Sequence, residues 1–276
     1  MTGLRGFGNP LSPSGRAALV EDLPHHISAE AIQVTFRVDP ERAAPYLPRG
    51  LELTDDNLGY AYVADMVKVS DTNLEQPHEE PARTQYQEGL TGLYCHHDGV
   101  PGRFSAFVWV SVDWSVVFGH FMGFAKKQAE VHMTKIHDVN PGMSPIGVGS
   151  RLRGVVDRLG SRVMTVDIDL QERLADNEIP SYGHRVYTVR DLPSPVQDVP
   201  ATRQLIAHDL ASAQTVDIWR GRGNVVFQDG ANEDLGGLEP IEIVDAYYFK
   251  RGWTTTGAAT LLIDYEAEGA SINENG

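Results

Sequence analysis

Ala31-Ile32-Gln33-Val34-Thr35-Phe36-Arg37-Val38 alternates large apolar side chains with small or polar ones at every step. A period of two puts Ile32, Val34, Phe36 and Val38 on one face of an extended chain, which predicts a half-buried β-strand. A second alternating run covers Tyr60 to Val69, and one of its sides reads Ala61, Val63, Asp65, Val67, Val69. If that side is buried, Asp65 needs a partner or must be protonated. Alternatively that side faces outward, and Tyr60, Tyr62 and Met66 face the core. Further strand-like stretches lie at 90–96, 104–110, 114–118, 126–133, 151–157, 162–172, 213–219, 241–249 and 259–266. Asp39-Pro40-Glu41-Arg42 opens a short helix that Pro45 and Pro48 stop. Many short strands with few helices predict a closed or sandwiched, mostly β architecture of the α+β class.

The first 28 residues are rich in Gly, Pro and Ser and read as an irregular N-terminal arm, leaving 29–276 as a single domain. Residues 71–85 are polar and Pro-containing, a surface loop or lid, and the Pro-rich tract 192–200 is an excursion. Gly221-Arg222-Gly223 reads as a hairpin turn. Phe104 to Ala125 approaches the length of a membrane span, but it contains Asp113, His120 and three serines. An Asp near the centre of a span costs roughly 2.5–3.5 kcal/mol on insertion. The stretch is therefore expected to form two buried strands with a corner at Asp113-Trp114.

With 276 residues, 41% of them hydrophobic, the chain can fill one large core. A net charge of -15 without any cluster of Lys and Arg excludes a nucleic-acid groove. The single cysteine, Cys95, excludes an intrachain disulfide and a multi-cysteine metal site, and fits a reducing cytoplasm. The N-terminus lacks the apolar stretch of a secretory signal. Cys95-His96-His97 cannot converge on one metal ion from a strand, because neighbours point to opposite faces. His25-His26, His132 and His137 lack a zinc spacing, so no metal is expected. No G-x-S-x-G elbow, Walker loop or dinucleotide fingerprint occurs.

Chemistry is suggested by Gly119-His120-Phe121-Met122-Gly123-Phe124-Ala125-Lys126-Lys127, a lysine pair directly after an apolar stretch. The neutral amine of lysine is a nucleophile, and apolar surroundings or a nearby cation make it available. In a strand starting at Lys126, Lys127 shares a side with Ala129, Val131 and Met133, so only one lysine faces a given pocket. Taken alone, the pair could equally be an ordinary solvent-facing Lys-Lys at a strand start.

Together these landmarks resemble the acetoacetate decarboxylase superfamily. Gly123-Phe124-Ala125-Lys126-Lys127 is similar to the family's aromatic-Pro-Lys-Lys ending. Tyr86-Gln87-Glu88 followed by Asp98-Gly99-Val100-Pro101-Gly102 resembles its Y-x-E and N/D-G-V-x-G motifs, with eleven residues from Glu88 to Gly99 as in the family. Phe36-Arg37-Val38-Asp39, Trp219-Arg220-Gly221 and Leu238-Glu239-Pro240-Ile241 resemble further family segments. The resemblance implies a cone-like antiparallel β-barrel with flanking strands and short helices, assembled as a homo-oligomer. It implies Lys126 as the Schiff-base lysine, Lys127 as its companion, Glu88 as an active-site carboxylate and Asp65 as a second acid. Tyr248 is a further candidate proton donor, and Tyr86, His120, Met122 and Phe124 are candidate substrate-binding residues. No cofactor is expected beyond a covalent imine on Lys126.

Three departures bear on the reaction. His26-Ile27-Ser28-Ala29 stands where the decarboxylases have an arginine, Gly119-His120-Phe121 where they have Arg-Glu after the glycine, and Ala125 where they have proline. A decarboxylase-like carboxy-lyase acting on a small keto acid is therefore one reading. An aldolase-dehydratase joining pyruvate to an aldehyde co-substrate is a second, and a non-catalytic ligand-binding barrel is a third.

Overall fold

The computed structural model describes residues 3–178 and 185–272. In chain order its elements are β1 (His25–Arg37), α1 (Pro40–Ala43), β2 (Glu52–Leu53), β3 (Leu58–Ser70), α2 (Gln76–Glu79), β4 (Gln85–His97), β5 (Val100–Val110) and α3 (Asp113–Met122). They continue with β6 (Lys126–Gln128), β7 (Glu130–Met133), β8 (Arg151–Arg158), β9 (Ser161–Arg173), β10 (Arg185–Leu192), β11 (Thr202–Asp209), β12 (Ala211–Phe227), β13 (Glu242–Thr255) and β14 (Thr260–Asp264).

All strands belong to one sheet, ordered β14-β11-β10-β5-β4-β3-β1-β13-β12-β9-β8-β7, with β2 paired to β4 and β6 to β5. The architecture is mostly β with short helices, as expected. The hydrogen-bonded path stays open between β14 and β7, and two pairings, β5 with β10 and β5 with β6, are parallel. The sheet nevertheless curls far enough for β8 to lie over β3 and β4. A Cβ on Gly89 would sit 2.4 Å from Val156, and one on Gly154 would sit 2.5 Å from Val63. The main core fills this curl, with Ile32, Val34, Phe36, Val63, Trp109 and Ile168 among its members. The strand around Val34 is thus buried on both faces from Ala31 to Phe36, more than alternation suggested, because β13 and β3 flank it and both sheet faces are covered.

The segment 104–125 forms one strand and one helix, where two strands were expected. Trp114, Val116, Val117 and Phe118 favour strands by type, but the end signals favour a helix. Asp113 lies in the first turn, where a carboxylate suits the helix dipole and its Oδ1 accepts from the Trp114 N–H at 2.7 Å, and Gly123 ends the helix in the left-handed conformation at φ 81. The residues buried along α3 are Trp114, Ser115, Phe118, Gly119 and Met122, a helical stripe. The run 126–133 divides at Ala129, where β6, parallel to β5, gives way to β7, antiparallel to β8. Gly221 and Gly223 lie inside β12 and form no turn; a Cβ on Gly221 would meet the Asp169 carbonyl oxygen at 2.2 Å. β10 and β11 had no clear sequence signal, since Arg185, Arg190, Asp191, Arg203 and Asp209 break their apolar pattern.

β1 begins at His25, so the arm ends earlier than expected. Short bridges Arg5–Ser12 and Phe7–Val20 order it, and Glu21 pairs with the buried Lys68 and with Arg83. The polar stretch 71–85 carries α2 and a 3-10 turn at Pro81–Arg83. Among the described residues no helix is long and apolar enough to cross a membrane.

Where the arm meets the sheet, His25 is fully buried against Phe118, with ring centroids 4.8 Å apart and Nε2 3.0 Å from the Glu21 carbonyl oxygen. Burial, reinforced by the Lys68 ammonium, pushes its pKa from 6.5 down to about 4. Between those values the unfolded chain binds a proton that the folded chain refuses. Stability is therefore complete above the unfolded pKa and falls as pH drops toward the folded one, by up to about 3 kcal/mol. His25→Gln is expected to flatten this acid limb. Urea midpoints of both proteins at neutral pH and near pH 5 test it, and an equal drop in both would contradict it.

Candidate active site

The strand face opposite the main core builds the site. In the β3–β4 register Ala64 lies opposite Glu88 and Asp65 opposite Gln87. Strand alternation therefore sends Tyr86, Glu88 and Leu90 of β4 to the same side as Tyr60, Tyr62 and Met66 of β3. On β13 the residues of this side are Phe249, Arg251 and Trp253, and on β1 they include Ile27 and Gln33. β5 contributes Arg103 and Ser105, then, after a one-residue bulge opposite Gly92, Val108. The bulge changes which parity faces the cavity. Gly92 permits it, since a Cβ there would lie 2.0 Å from the Phe104 carbonyl oxygen.

Over this floor α3 and β6 form a cavity of about 120 Å³. β6 runs beside β5 with Lys126 level with Val108 and Lys127 level with Trp109. Lys126 enters the cavity. Its Nζ lies 2.8 Å from Glu88 Oε2 and donates to Ser115 Oγ at 3.0 Å. The two charged side chains are only 7% and 10% exposed. The Nζ also sits 5.4 Å from the Tyr86 ring centroid and 5.9 Å from that of Phe124, within cation–π range. Gly119 makes the lysine's path possible, because a Cβ there would come within 2.4 Å of Lys126 Cδ. A buried ion pair is a weak device for stability. One in a cleft beside polar groups is a candidate for chemistry.

The rest of the lining is amphipathic. Tyr60 and Ser105 share a hydrogen bond of 2.9 Å, and burial pushes the Tyr60 phenol up to about 12. Burial and the Glu88 charge hold the Tyr86 and Tyr62 phenols well above their ordinary value, so both stay protonated. His208 approaches the Met122 carbonyl oxygen at 3.0 Å and Thr188 Oγ1 at 3.1 Å, and burial lowers its pKa, so it remains a neutral polar anchor.

Of the residues singled out in the sequence, Lys126, Glu88, Tyr86, Met122 and Phe124 meet at this cavity. Four others do not. Lys127 turns to the opposite face, where Nζ meets Glu233 Oε2 at 3.0 Å and the Asn232 carbonyl oxygen at 2.6 Å. Asp65 is opposite in parity to Glu88; it accepts from Gln87 Nε2 at 3.0 Å and pairs with Lys135. Tyr248 belongs to the main-core face of β13 and donates to Glu30 Oε1 at 2.9 Å. His120 is on the solvent side of α3. Conversely, Ser115, Gly119, Tyr62, Arg103 and Arg251 reach the site or shape it without having been singled out. Reading 113–123 as a capped helix would have placed Ser115 and Gly119 on its inner stripe. The two arginines carried no local signal. Arg251 pairs in register with Ala29, the neighbourhood where the missing arginine was noted.

The model of the family described as acetoacetate decarboxylase (ADC) matches residues 8–265. No curated protein matches the sequence. Among solved structures, an acetoacetate decarboxylase-like enzyme from Sphingomonas wittichii RW1 superposes with a TM-score of 0.87 at 25% identity, covering 94% of this chain and 99% of that one. The enduracididine biosynthesis enzyme MppR complexed with pyruvate gives 0.86 at 28% identity, covering 95% and 99%. MppR complexed with the condensation product of pyruvate and imidazole 4-carboxaldehyde gives 0.86 at 28%, covering 96% and 99%. Acetoacetate decarboxylase from Legionella pneumophila shares the fold at 0.73 and 16% identity, covering 89% and 90%.

Two variants separate the lysines. Alanine is favoured over glycine inside a helix by about 1 kcal/mol, so Gly119→Ala is expected to keep α3 while displacing the Lys126 side chain from Glu88. Lys127→Ala leaves the buried Glu233 with Arg158 alone, at a cost of about 1–3 kcal/mol. Amine-directed labelling mapped by mass spectrometry should change at Lys126 in the first variant only, and Tm should fall in the second. A changed Lys126 label in Lys127→Ala would contradict the division of faces.

Proposed function

This chain belongs to the acetoacetate decarboxylase family, and from that premise we propose that it is a Schiff-base-forming carbon–carbon lyase that joins a small keto acid to an aldehyde and dehydrates the adduct. The observation that carries this reading is the Lys126 amine 2.8 Å from the Glu88 carboxylate, buried in one cavity. Glu88 is within reach to take the proton that Lys126 must lose before attack on the keto carbon. Glu88 returns that proton to the carbinolamine hydroxyl, which leaves as water, and the iminium left on Nζ acts as the electron sink. Glu88 then removes a proton from the carbon next to the imine, and the resulting enamine adds to the aldehyde. Return of that proton turns the adduct's alkoxide into a hydroxyl; Glu88 then takes the second proton from the same carbon and passes it to the hydroxyl, which leaves as water, and a second water hydrolyses the imine, releasing an unsaturated keto acid and free Lys126.

In this scheme Ser115 Oγ aims Nζ, while Tyr86, Met122 and Phe124 shape the wall around it. Neither a metal nor an organic cofactor has a step to perform. A homo-oligomeric state and a cytoplasmic location belong to the same reading, the first from family resemblance and the second from the lone Cys95. Decarboxylation of a 3-keto acid through the same enamine is the second reading. The aldol reading is favoured by the 28% identity to MppR, which holds pyruvate and a pyruvate–aldehyde condensation product. The Arg-Glu of the decarboxylases is also replaced here by His120-Phe121.

Incubation with pyruvate followed by borohydride is expected to add one reduced ligand to Lys126, located by peptide mass. Lys126→Arg should abolish that label and Lys127→Ala should keep it. Glu88→Gln should still form the imine but lose turnover by roughly 10²–10⁴-fold, since an amide cannot shuttle a proton. With pyruvate and an aldehyde the protein should generate a conjugated keto acid, seen by its ultraviolet absorbance, and acetoacetate should yield little acetone. Fast acetone production would favour the decarboxylase, and no label with any keto acid would leave only a binding barrel.

A further inference from the structure

The cavity holds more positive charge than the imine chemistry uses. Arg103 enters from β5 and Arg251 from β13, and both line the wall that Lys126 and Glu88 share. Among the described residues neither guanidinium has a carboxylate partner. Glu88 is engaged by Lys126, and Asp209 at the rim is held by Arg185 through hydrogen bonds of 2.9 and 3.0 Å. Arg251 Nε is buried without a hydrogen-bond partner. The two cations also feel each other: burial and the Arg103 charge push the Arg251 guanidinium down to about 10. Both side chains are half-buried; partial withdrawal of an unpaired cation from water is unfavourable, the more so near a second cation. Fold stability would be served better by apolar side chains at both positions, so the pair points to a ligand that neutralises it.

Pyruvate brings one carboxylate. In the enamine state the Lys126 nitrogen is uncharged and Glu88 has taken a proton, which leaves the two guanidiniums as the charges facing the ligand. On the reading of Lys126 as the imine-forming residue, we infer that the site takes a reactant set with two carboxylates, one at each of Arg103 and Arg251: the keto acid's own and a second one. Guanidinium is suited to this, since its planar fork binds a carboxylate through two parallel hydrogen bonds. The second carboxylate resides either on the keto acid itself or on the aldehyde.

The experiment has three arms. Calorimetry with the unreactive diacid glutarate against pentanoate reads the charge preference without any covalent step. Borohydride trapping with 2-oxoglutarate against 2-oxopentanoate reads it on the keto acid. Condensation of pyruvate with glyoxylate against acetaldehyde reads it on the aldehyde. Glutarate is expected to bind at least about tenfold more tightly than pentanoate, a difference of about 1.4 kcal/mol, and one of the two reactive arms should show the same preference. Arg251→Met should erase the preference without lowering Tm, because it removes a half-buried charge whose Nε has no partner. Arg103→Met should do the same to the charge preference. Equal binding of glutarate and pentanoate overturns the inference even if pyruvate labels Lys126. Preferential, Arg251-dependent glutarate binding with no label from any keto acid sustains the dicarboxylate site and removes the imine chemistry instead.

Discussion

A β-strand sends successive side chains to opposite faces, and β13, β1, β3, β4 and β5 are covered on both. Everything else in this molecule is built on that constraint. One parity supplies Ile32, Val34, Val63 and Trp109 to an apolar core closed by β8. The other supplies Tyr62, Glu88, Arg103 and Arg251 to a cavity closed by α3 and β6. A slip of one residue between β3 and β4 would exchange Glu88 for Gln87 and put a carboxylate into the core. Register and site chemistry are the same specification.

The cavity exists because small residues stand where packing would otherwise fill it. Gly119 leaves the Lys126 stem a path past α3, and Ala29, Ala31 and Ala64 are the small members of the buried cluster on the same strand face. α3 is in turn held from outside by the arm. Phe7 meets Phe121 edge-on at 5.6 Å, Val20 packs with Phe118 and Met122, and Glu21 ties the arm to Lys68 and Arg83. The residues that surround the lysine are thereby fixed by contacts on both sides of one short helix. Positioning of this kind is what a reactive amine requires.

Charge is distributed with similar economy. Most arginines pair with acids at the surface, as Arg153 does with Asp167 and Arg162 with Asp157. Arg103 and Arg251 depart from that pattern in the cavity lining. The arginine missing at 26–29, within β1, is matched in space by Arg251, which the β1–β13 register sets opposite Ala29. Comparison of linear motifs registered a loss there, whereas the sheet shows a guanidinium delivered to the same neighbourhood by another strand.

The sequence by itself determined the mostly β architecture, through its period-two runs, and the pairing of Lys126 with Glu88, through two short motifs in family order. It also separated Lys126 from Lys127, since adjacent residues on a strand cannot share a face. It misread 114–118, because β-branched and aromatic residues suit either element and the deciding signals, Asp113 and Gly123, sit at the ends. Only the tertiary structure decided which face of each strand met the cavity. Asp65 and Tyr248 were plausible as chemistry, but a register and a parity consign them to Lys135 and Glu30. Ser115, Arg103 and Arg251 were invisible for the converse reason: their partners lie on other strands, and local sequence carries no record of which strands become neighbours.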